Sequence, residues 1–359
     1  MTYLKYSIGI DVAKDEFKTC ISSIDHLQKV TVKSTGSFKN NNTGFEGFYA
    51  WVAKHLREKI PSHFLMEATG IYYEQLAWYL YNKDCPVSVI LPNKAKKYIQ
   101  GLGLKSKNDK IDAKGLARMC AEQSLDLWKP LSKNIYRLRA LTRLHEDLTV
   151  QNTALQNRLD ALKASMFDLS DSNKSLSKLI NTTKKELKKL EAQIKETIEK
   201  DQLLKAKFDK IGRIKGVGLM TFAVVTAETN GFELFSSISQ LTSYAGYDVV
   251  ENQSGKRSGK TRMSKRGNSH IRRVLHMPAF NVVKHEPLFK KFYNRVLTNT
   301  SIKMKAYVAV QRRLLTLIYS LWKKDVEYNP SYSEAGTADP LWVDSEGIKK
   351  SQAQSALAL

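Results

Sequence analysis

Four acidic residues stand where a folded chain could put them to chemical use. Asp11 closes a short apolar stretch (YSIGID), Glu67 closes another (HFLME), and Asp109 and Asp112 lie three apart in KSKNDKIDAKGLA. A carboxylate at the end of a strand is held on a rigid element, and i, i+3 spacing puts two acids on one helix face. Converging carboxylates supply the hard oxygen ligands that Mg²⁺ takes, and two such ions can clamp the attacking and leaving oxygens of a phosphodiester. Singly, each acid also reads as a strand-end cap or a surface salt-bridge partner. Their joint order and placement argue for a shared site. Asp15 and Glu16, just beyond Asp11, read as solvated neighbours.

A second candidate is the run from Ser254 to Arg273, which holds eight basic residues and no acid. Glycines flanking its serines let backbone amides approach a phosphate, and the clustered cations could stabilise charge on a transferring phosphoryl group. A serine hydroxyl there can act as a nucleophile if a base or a metal activates it. Ser254, Ser258 and Ser264 have similar neighbours, and chemistry alone does not choose among them. A basic loop that only touches backbone phosphate is the competing reading. A further eight Lys or Arg lie between Asn93 and Arg118, around the paired acids. The candidate nucleic-acid contacts are Lys105, Lys107 and Lys110, then Lys256, Arg257, Lys260, Arg262, Lys265, Arg266, Arg272 and Arg273. Lys215-Gly216-Val217-Gly218 resembles the turn of a helix-hairpin-helix, a weak signal alone. His270 and His276 read as structural.

The elements that must position these residues follow from periodicity. Residues 6–11, 17–23 and 29–34 read as three consecutive strands, followed by a helix at 44–58, a strand at 63–67, a helix at 72–81, a strand at 86–91 and a further helix. That order predicts an α/β architecture, a mixed sheet flanked by helices. From 131 to 207 Gly and Pro vanish. Leu141, Leu148, Leu155 and Leu162 recur every seven residues with Leu144, Leu159 and Met166 beside them, which predicts a coiled-coil seam with Asn152 in it. After a polar break at 168–175, Leu176, Ile180, Leu187, Leu190, Ile194 and Ile198 form a second stripe, so two long helices in a hairpin are the natural reading, with a pair of ordinary bundle helices packed on the chain's own core as the alternative. A second globular unit begins near Ile211, and the last thirty or so residues read as a mobile tail.

Fifty-eight Lys and Arg against thirty-five Asp and Glu in 359 residues give a net charge of +23. Such an excess on a chain of ordinary globular composition argues against a small-molecule enzyme with a neutral surface and points to nucleic acid. No signal peptide or membrane-spanning run is visible, which predicts a cytoplasmic protein. Cys20, Cys85 and Cys120 are too scattered for a disulfide framework or a zinc site and read as reduced, buried thiols.

In order along the chain, YSIGIDVAKDEF, FLMEATGIYYEQLAWYL, KSKNDKIDAKGLA, IKGVGLMTFAVVTAE and QSGKRSGKTRMSKRGNSHIRRVL resemble the DEDD transposases of bacterial insertion sequences, a group related to pilin-gene invertases. The resemblance covers roughly residues 6–320. It implies an RNase H-like, RuvC-like nuclease domain at 1–125, a coiled-coil spacer at 126–207, a mainly helical serine transposase domain at 208–325 and a tail at 326–359. It also implies that Asp11, Glu67, Asp109 and Asp112 are the acidic tetrad holding Mg²⁺, two ions by expectation, and that Ser254 of QSG is the nucleophile. The loop departs from the pattern with a second serine-glycine, which keeps Ser258 open as an alternative. The implied partners are donor and target double-stranded DNA, a structured noncoding bridge RNA that selects them, and further copies of the chain in a dimer or tetramer. The expected reaction is DNA strand cleavage and exchange through a serine-linked intermediate, completed between protomers and nucleoid-associated when bound. A metal-dependent junction endonuclease using water, or a basic coiled-coil protein that only packages nucleic acid, are the alternatives.

Overall fold

Three strands open the chain: the first two have continuous buried runs, as strands covered on both faces do, while the third alternates between exposed and partly buried residues. They are β1 (Tyr3–Val12), β2 (Glu16–Asp25) and β3 (Val30–Lys39). The pairs β1–β2 and β2–β3 are antiparallel, with Ile8 opposite Ile21 and Cys20 opposite Thr35. Then α1 (Asn42–His55), β4 (Ser62–Glu67), α2 (Glu74–Tyr81), β5 (Val87–Ile90), α3 (Pro92–Gly101) and α4 (Asp109–Glu122) follow in a computed structural model of the chain. It describes residues 3–56, 60–68, 70–103, 109–167, 169–250, 253–254, 257–258 and 262–330. Strands β4 and β5 add in parallel, giving the order β3-β2-β1-β4-β5. Parallel neighbours need a crossover, and α1 and α2 occupy the two crossovers. This mixed sheet, covered by helices on both faces, fits the α/β RNase H-like domain expected from the sequence.

The two faces are chemically unlike. Ile8, Ile10, Phe17, Phe48, Phe64 and Met66 form one core with α1 and α2. On the other face, Leu65 and Ile90 pack with Ala95, Leu116, Met119 and Cys120 of α3 and α4, while Cys20 meets Ala113 and Ala117. Of the three thiols, Cys20 and Cys120 are buried and Cys85 is only half-buried, because it follows the exposed turn after α2.

The chain divides into two units, Met1–Pro130 and Leu131–Leu359. The second contains α5 (Lys133–Lys163), α6 (Ser170–Lys200), α7 (Gln202–Ile211), α8 (Leu219–Thr229) and α9 (Ile238–Tyr244). Four two-residue strands come next, β6 (Val249–Val250), β7 (Gln253–Ser254), β8 (Arg257–Ser258) and β9 (Arg262–Met263). Helices α10 (Ser269–Val274), α11 (His276–His285), α12 (Pro287–Thr300) and α13 (Lys303–Lys324) complete it. Helices α5 and α6 are each 31 residues long and lie side by side, with His145 Nε2 3.2 Å from Glu191 and the Asn134 amide donating to Asp201 at 2.8 Å.

The expected break at 168–175 is shorter, since α6 already starts at Ser170. Leu159 is buried, but Leu144 is 48% exposed and Met166 92% exposed. The reason is local. Near its start α5 also packs on α8, so its buried face there is Leu138 and Thr142, and Met166 lies beyond its end. Asn152 Oδ1 is buried without a hydrogen-bond partner. Helix α8 is mostly apolar and every residue from Thr221 to Thr229 is buried, which makes it a central core helix whose one acid, Glu228, needs partners. Tyr328 is also buried, donating to Glu286 at 2.8 Å, so the chain past α13 is packed where a mobile tail was expected to begin. Residues 331–359 of that tail lie outside the described residues.

Candidate carboxylate end and serine arm

Alternation in β1 and β4 decides where the first two acids point. Ile10 and Met66 are register partners in the parallel pair and both face the core with α1 and α2. Their successors, Asp11 and Glu67, therefore stand side by side on the opposite face, the one that α4 covers. Both are partly buried. The same face carries Gly9, and this glycine explains how α4 is seated. A Cβ there would lie 2.1 Å from the Ala117 amide nitrogen and 2.3 Å from the Ala113 carbonyl oxygen. The helix thus rests directly on β1, an approach that only glycine permits.

The direction of α4 follows from two contacts. Ala113 and Ala117 lie over Gly9, and Cys120 Sγ donates to His63 O at 3.4 Å, at the start of β4. Helix α4 accordingly runs opposite to β1, and its first turn, with Asp109 and Asp112, lies at the end where Asp11 and Glu67 finish. All four acids are carried by elements meeting at one end and one face of the sheet. Asp112 is partly buried, while the side chain of Asp109 lies outside the described residues, as do Lys105, Lys107 and the side chain of Lys110.

Neighbours of the acids separate reactive from structural groups. Lys18 is the cross-strand partner of Asp11. Its ammonium donates to Glu16 at 2.7 Å and to Ser37 at 2.9 Å. Those hydrogen bonds from Lys18 and Ser37 hold the Glu16 carboxyl below its ordinary pKa, so Glu16 is a paired surface acid outside the site. Burial pushes the Cys120 thiol up to about 11, consistent with an inert packing group. The carboxylate donor set matches a hard divalent cation, whereas thiol or imidazole ligands would favour zinc. Among the described residues no group of three or more His, Cys, Asp or Glu is close enough to hold a metal.

The serine candidate sits on a different kind of support. Strands β6 and β9 pair antiparallel, with Val249 opposite Met263. Between them β7 pairs with β8, placing Ser254 opposite Arg257 and Gln253 opposite Ser258. The two candidate serines thus occupy alternate, inequivalent ladder positions. Lys256 and Lys260, and the side chains of Ser254, Arg257 and Ser258, lie outside the described residues.

At its base the arm is stitched together. Ser264 N donates to Asp248 O at 2.7 Å, Lys265 N to Gly246 O at 3.1 Å, and Asn268 N to Tyr244 O at 2.7 Å. A Cβ at Gly267 would lie 2.4 Å from Tyr244 O, so that crossing needs glycine. Arg262, Lys265 and Arg266 line a cavity of about 350 Å³ together with Val250, Met263 and Ser264. Three of the candidate nucleic-acid cations therefore surround one concavity.

Arg272 and Arg273 are engaged with the fold itself. Arg272 Nη1 donates to Ala245 O at 2.8 Å and Asn268 O at 3.2 Å, and Arg273 pairs with Glu146 of α5. His270 also contacts Glu146, at 2.6 Å, and His276 lies 3.2 Å from the Gln311 amide, so both histidines are structural. In the KGVG turn, Gly216 (φ 109°) packs on Asn281 and Pro278, and Lys215 N donates to Glu286 at 3.3 Å. Gly218, at the start of α8, has open space before it.

Sequence reading passed over Glu228. This acid is 1% exposed near the end of α8. Arg143 of α5 grips it twice, at 2.8 and 3.0 Å, and the Asn268 side-chain amide donates to it at 2.6 Å. Burial alone would raise its pKa, but the bonds from Arg143 and Asn268 outweigh that and hold it below the ordinary carboxylate value. A single acid inside TFAVVTAET was the available signal, since a buried charge needs a partner.

A model of DEDD transposases of the IS110 type matches residues 8–168, and a model described as transposase, IS116/IS110/IS902 family, matches residues 209–294. The pilin gene-inverting protein of Moraxella bovis is 30% identical over 332 residues, covering 92% of this chain and 99% of its own length. The transposase for insertion sequence element IS1111A of Coxiella burnetii is 23% identical over 349 residues, covering 89% of this chain and 90% of its own. A Thermus thermophilus RuvC structure overlaps 34% of this chain and 99% of its own at 14% identity, with a TM-score of 0.27.

Proposed function

From the premise that this chain belongs to the IS116/IS110/IS902 family of transposases and is a DNA recombinase, we propose that it cuts and exchanges DNA strands through a serine-linked intermediate held at an acidic metal site. The observation that supports this most is the shared end of β1, β4 and α4, where Asp11, Glu67, Asp109 and Asp112 are carried together. Those acids would hold divalent cations, Mg²⁺ by chemical preference and two by carboxylate count. When bound, such ions polarise the scissile phosphate and neutralise its charge.

Ser254 Oγ is the nucleophile in this reading. Its oxygen forms the new bond to phosphorus as the bond from phosphorus to the adjoining sugar oxygen breaks, and that oxygen leaves as a hydroxyl with the serine's proton. The phosphoserine link conserves the phosphodiester, so strands can be rejoined without a high-energy cofactor. Arg262, Lys265 and Arg266 at the cavity beside β9 bind backbone phosphate. The acids belong to one unit and the serine to the other, so cutting requires both to reach the same phosphate. A bridge RNA selecting donor and target DNA, and assembly of protomers through α5 and α6, complete the proposal.

The test incubates the full chain with its element-end DNA, flanking RNA and Mg²⁺ and resolves the products on a denaturing gel. A protease-sensitive DNA adduct should form and should vanish in Ser254→Ala and in EDTA. Adduct formation by Ser254→Ala would sink the serine assignment, and cleavage with no adduct at all would favour a water-using junction endonuclease.

A further inference from the structure

Asn268 lies five residues beyond β9, at the exit of the serine arm, and its four polar groups are all committed, its carbonyl oxygen accepting from Arg272 Nη1 at 3.2 Å. Its backbone N–H donates to Tyr244 O at 2.7 Å, across the base of the arm. Its Oδ1 accepts from Ile271 N at 3.1 Å, which caps α10. Its Nδ2 donates to the buried Glu228 carboxylate at 2.6 Å and lies 3.3 Å from the Tyr244 hydroxyl, which itself donates to Glu228 O at 3.0 Å. The capping bond stabilises a helix. The bond to Glu228 has no such local purpose, because it fastens the arm's exit to the end of α8, a buried core element.

Helix α5 holds the other side of the same junction. Arg139 donates twice to Ala227 O, at 3.0 and 2.8 Å, and Arg143 grips both oxygens of Glu228. Glu146, the next residue on that helix face, engages His270 and Arg273 of α10. One face of α5 is thereby hooked to the residues on which the arm is rooted, while the arm itself has only two-residue ladders to stiffen it.

We propose that Asn268, clasped by Glu228 and Tyr244, is a positioning residue for Ser254: it fixes the root of the serine arm to α8, and through Arg143 to α5. The proposal rests on the assignment of Ser254 as nucleophile. Loss of the clasp leaves the arm folded and basic but lets its root shift, which lowers the rate of attack more than DNA affinity, since a small misplacement of a reacting group costs orders of magnitude.

Asn268→Ser isolates the clasp, because serine still caps α10 but cannot reach Glu228 as a donor. Asn268→Ala removes both bonds. In the full chain, single-turnover adduct formation on element-end DNA should fall at least tenfold in both variants. DNA affinity should stay within about twofold of the parent. Hydrogen exchange at the backbone amides of Ser264, Lys265 and Asn268 should quicken in both. Asn268→Ser with parental adduct rate, or a loss confined to Asn268→Ala, would overturn the clasp in favour of simple capping. Adduct rate and DNA affinity falling by the same factor would also overturn it, as that is general misfolding. Should the parent form no serine adduct, the nucleophile assignment fails by itself, and the exchange measurement still decides the clasp: unchanged exchange in Asn268→Ser refutes it.

Discussion

The carboxylate end and the serine arm are held in place by opposite means. Asp11 and Glu67 stand on adjacent parallel strands whose hydrogen bonds fix their spacing, and α4 is seated by backbone contact over Gly9. Backbone pairing and backbone packing set their positions. The serine arm has four paired residues at its base and four farther out, and its root is fixed by Glu228, Asn268, Tyr244 and Arg143. Two parts of one proposed site therefore have different weaknesses. The first is intolerant of volume, and the second is intolerant of losing a hydrogen bond or a charge.

Gly9→Ala attacks the first kind of support and should have the largest effect. The atoms in its way are backbone, so trimming Ala113 or Ala117 to glycine should not rescue it. Displacing α4 should cost about 3 kcal/mol, the upper range for overpacking, and abolish cleavage, as read by thermal denaturation and the adduct gel. Recovery of activity in Gly9→Ala with Ala117→Gly would show that α4 is not seated by its backbone.

Glu228→Ala attacks the second kind. Breaking a buried pair costs several kcal/mol, but Arg143 is half exposed and can return to water, so about 2 kcal/mol is expected here. The pH dependence has a definite sign. A carboxyl whose pKa is lowered on folding adds stability above its unfolded value and loses it as pH falls through the folded value. The melting temperature of the parent should therefore drop on acidification more steeply than that of Glu228→Ala. Parallel curves would mean that the Glu228 charge does not help to hold the root.

Met166→Ser lies outside both supports. With Met166 92% exposed beyond the end of α5, its removal should change stability by less than about 0.5 kcal/mol by the same thermal measurement.

The strands of the first unit were legible because short apolar stretches bounded by polar or turn residues are a local signal, and YSIGID, HFLME and PVSVIL each became strands. The glycine in YSIGID was visible as well, although only packing shows that it seats a helix. The heptad of α5 was legible as a helix and less so as a seam. A seven-residue repeat marks an apolar face but does not say how much of it a neighbour covers, and Leu144 beside it is left 48% exposed. Least legible was the root of the arm. Glu228, Arg143 and Asn268 are separated by 85 and 40 residues in sequence, and no periodicity links them. Arg272 and Arg273 looked like phosphate contacts for the same reason, since composition reports a charge but not the partner that already occupies it.

Arg139, Arg143 and Glu146 hook onto their partners from one face of α5, so this helix is read in phase. A single residue inserted between Arg139 and Glu146 would rotate everything beyond it by about 100° and unhook part of the set. Insertions after Glu146 leave the hooks untouched and need only be matched in α6. The far parts of α5 and α6 can thus change in length together by whole turns, while the stretch from Arg139 to Glu146 must keep its residue count.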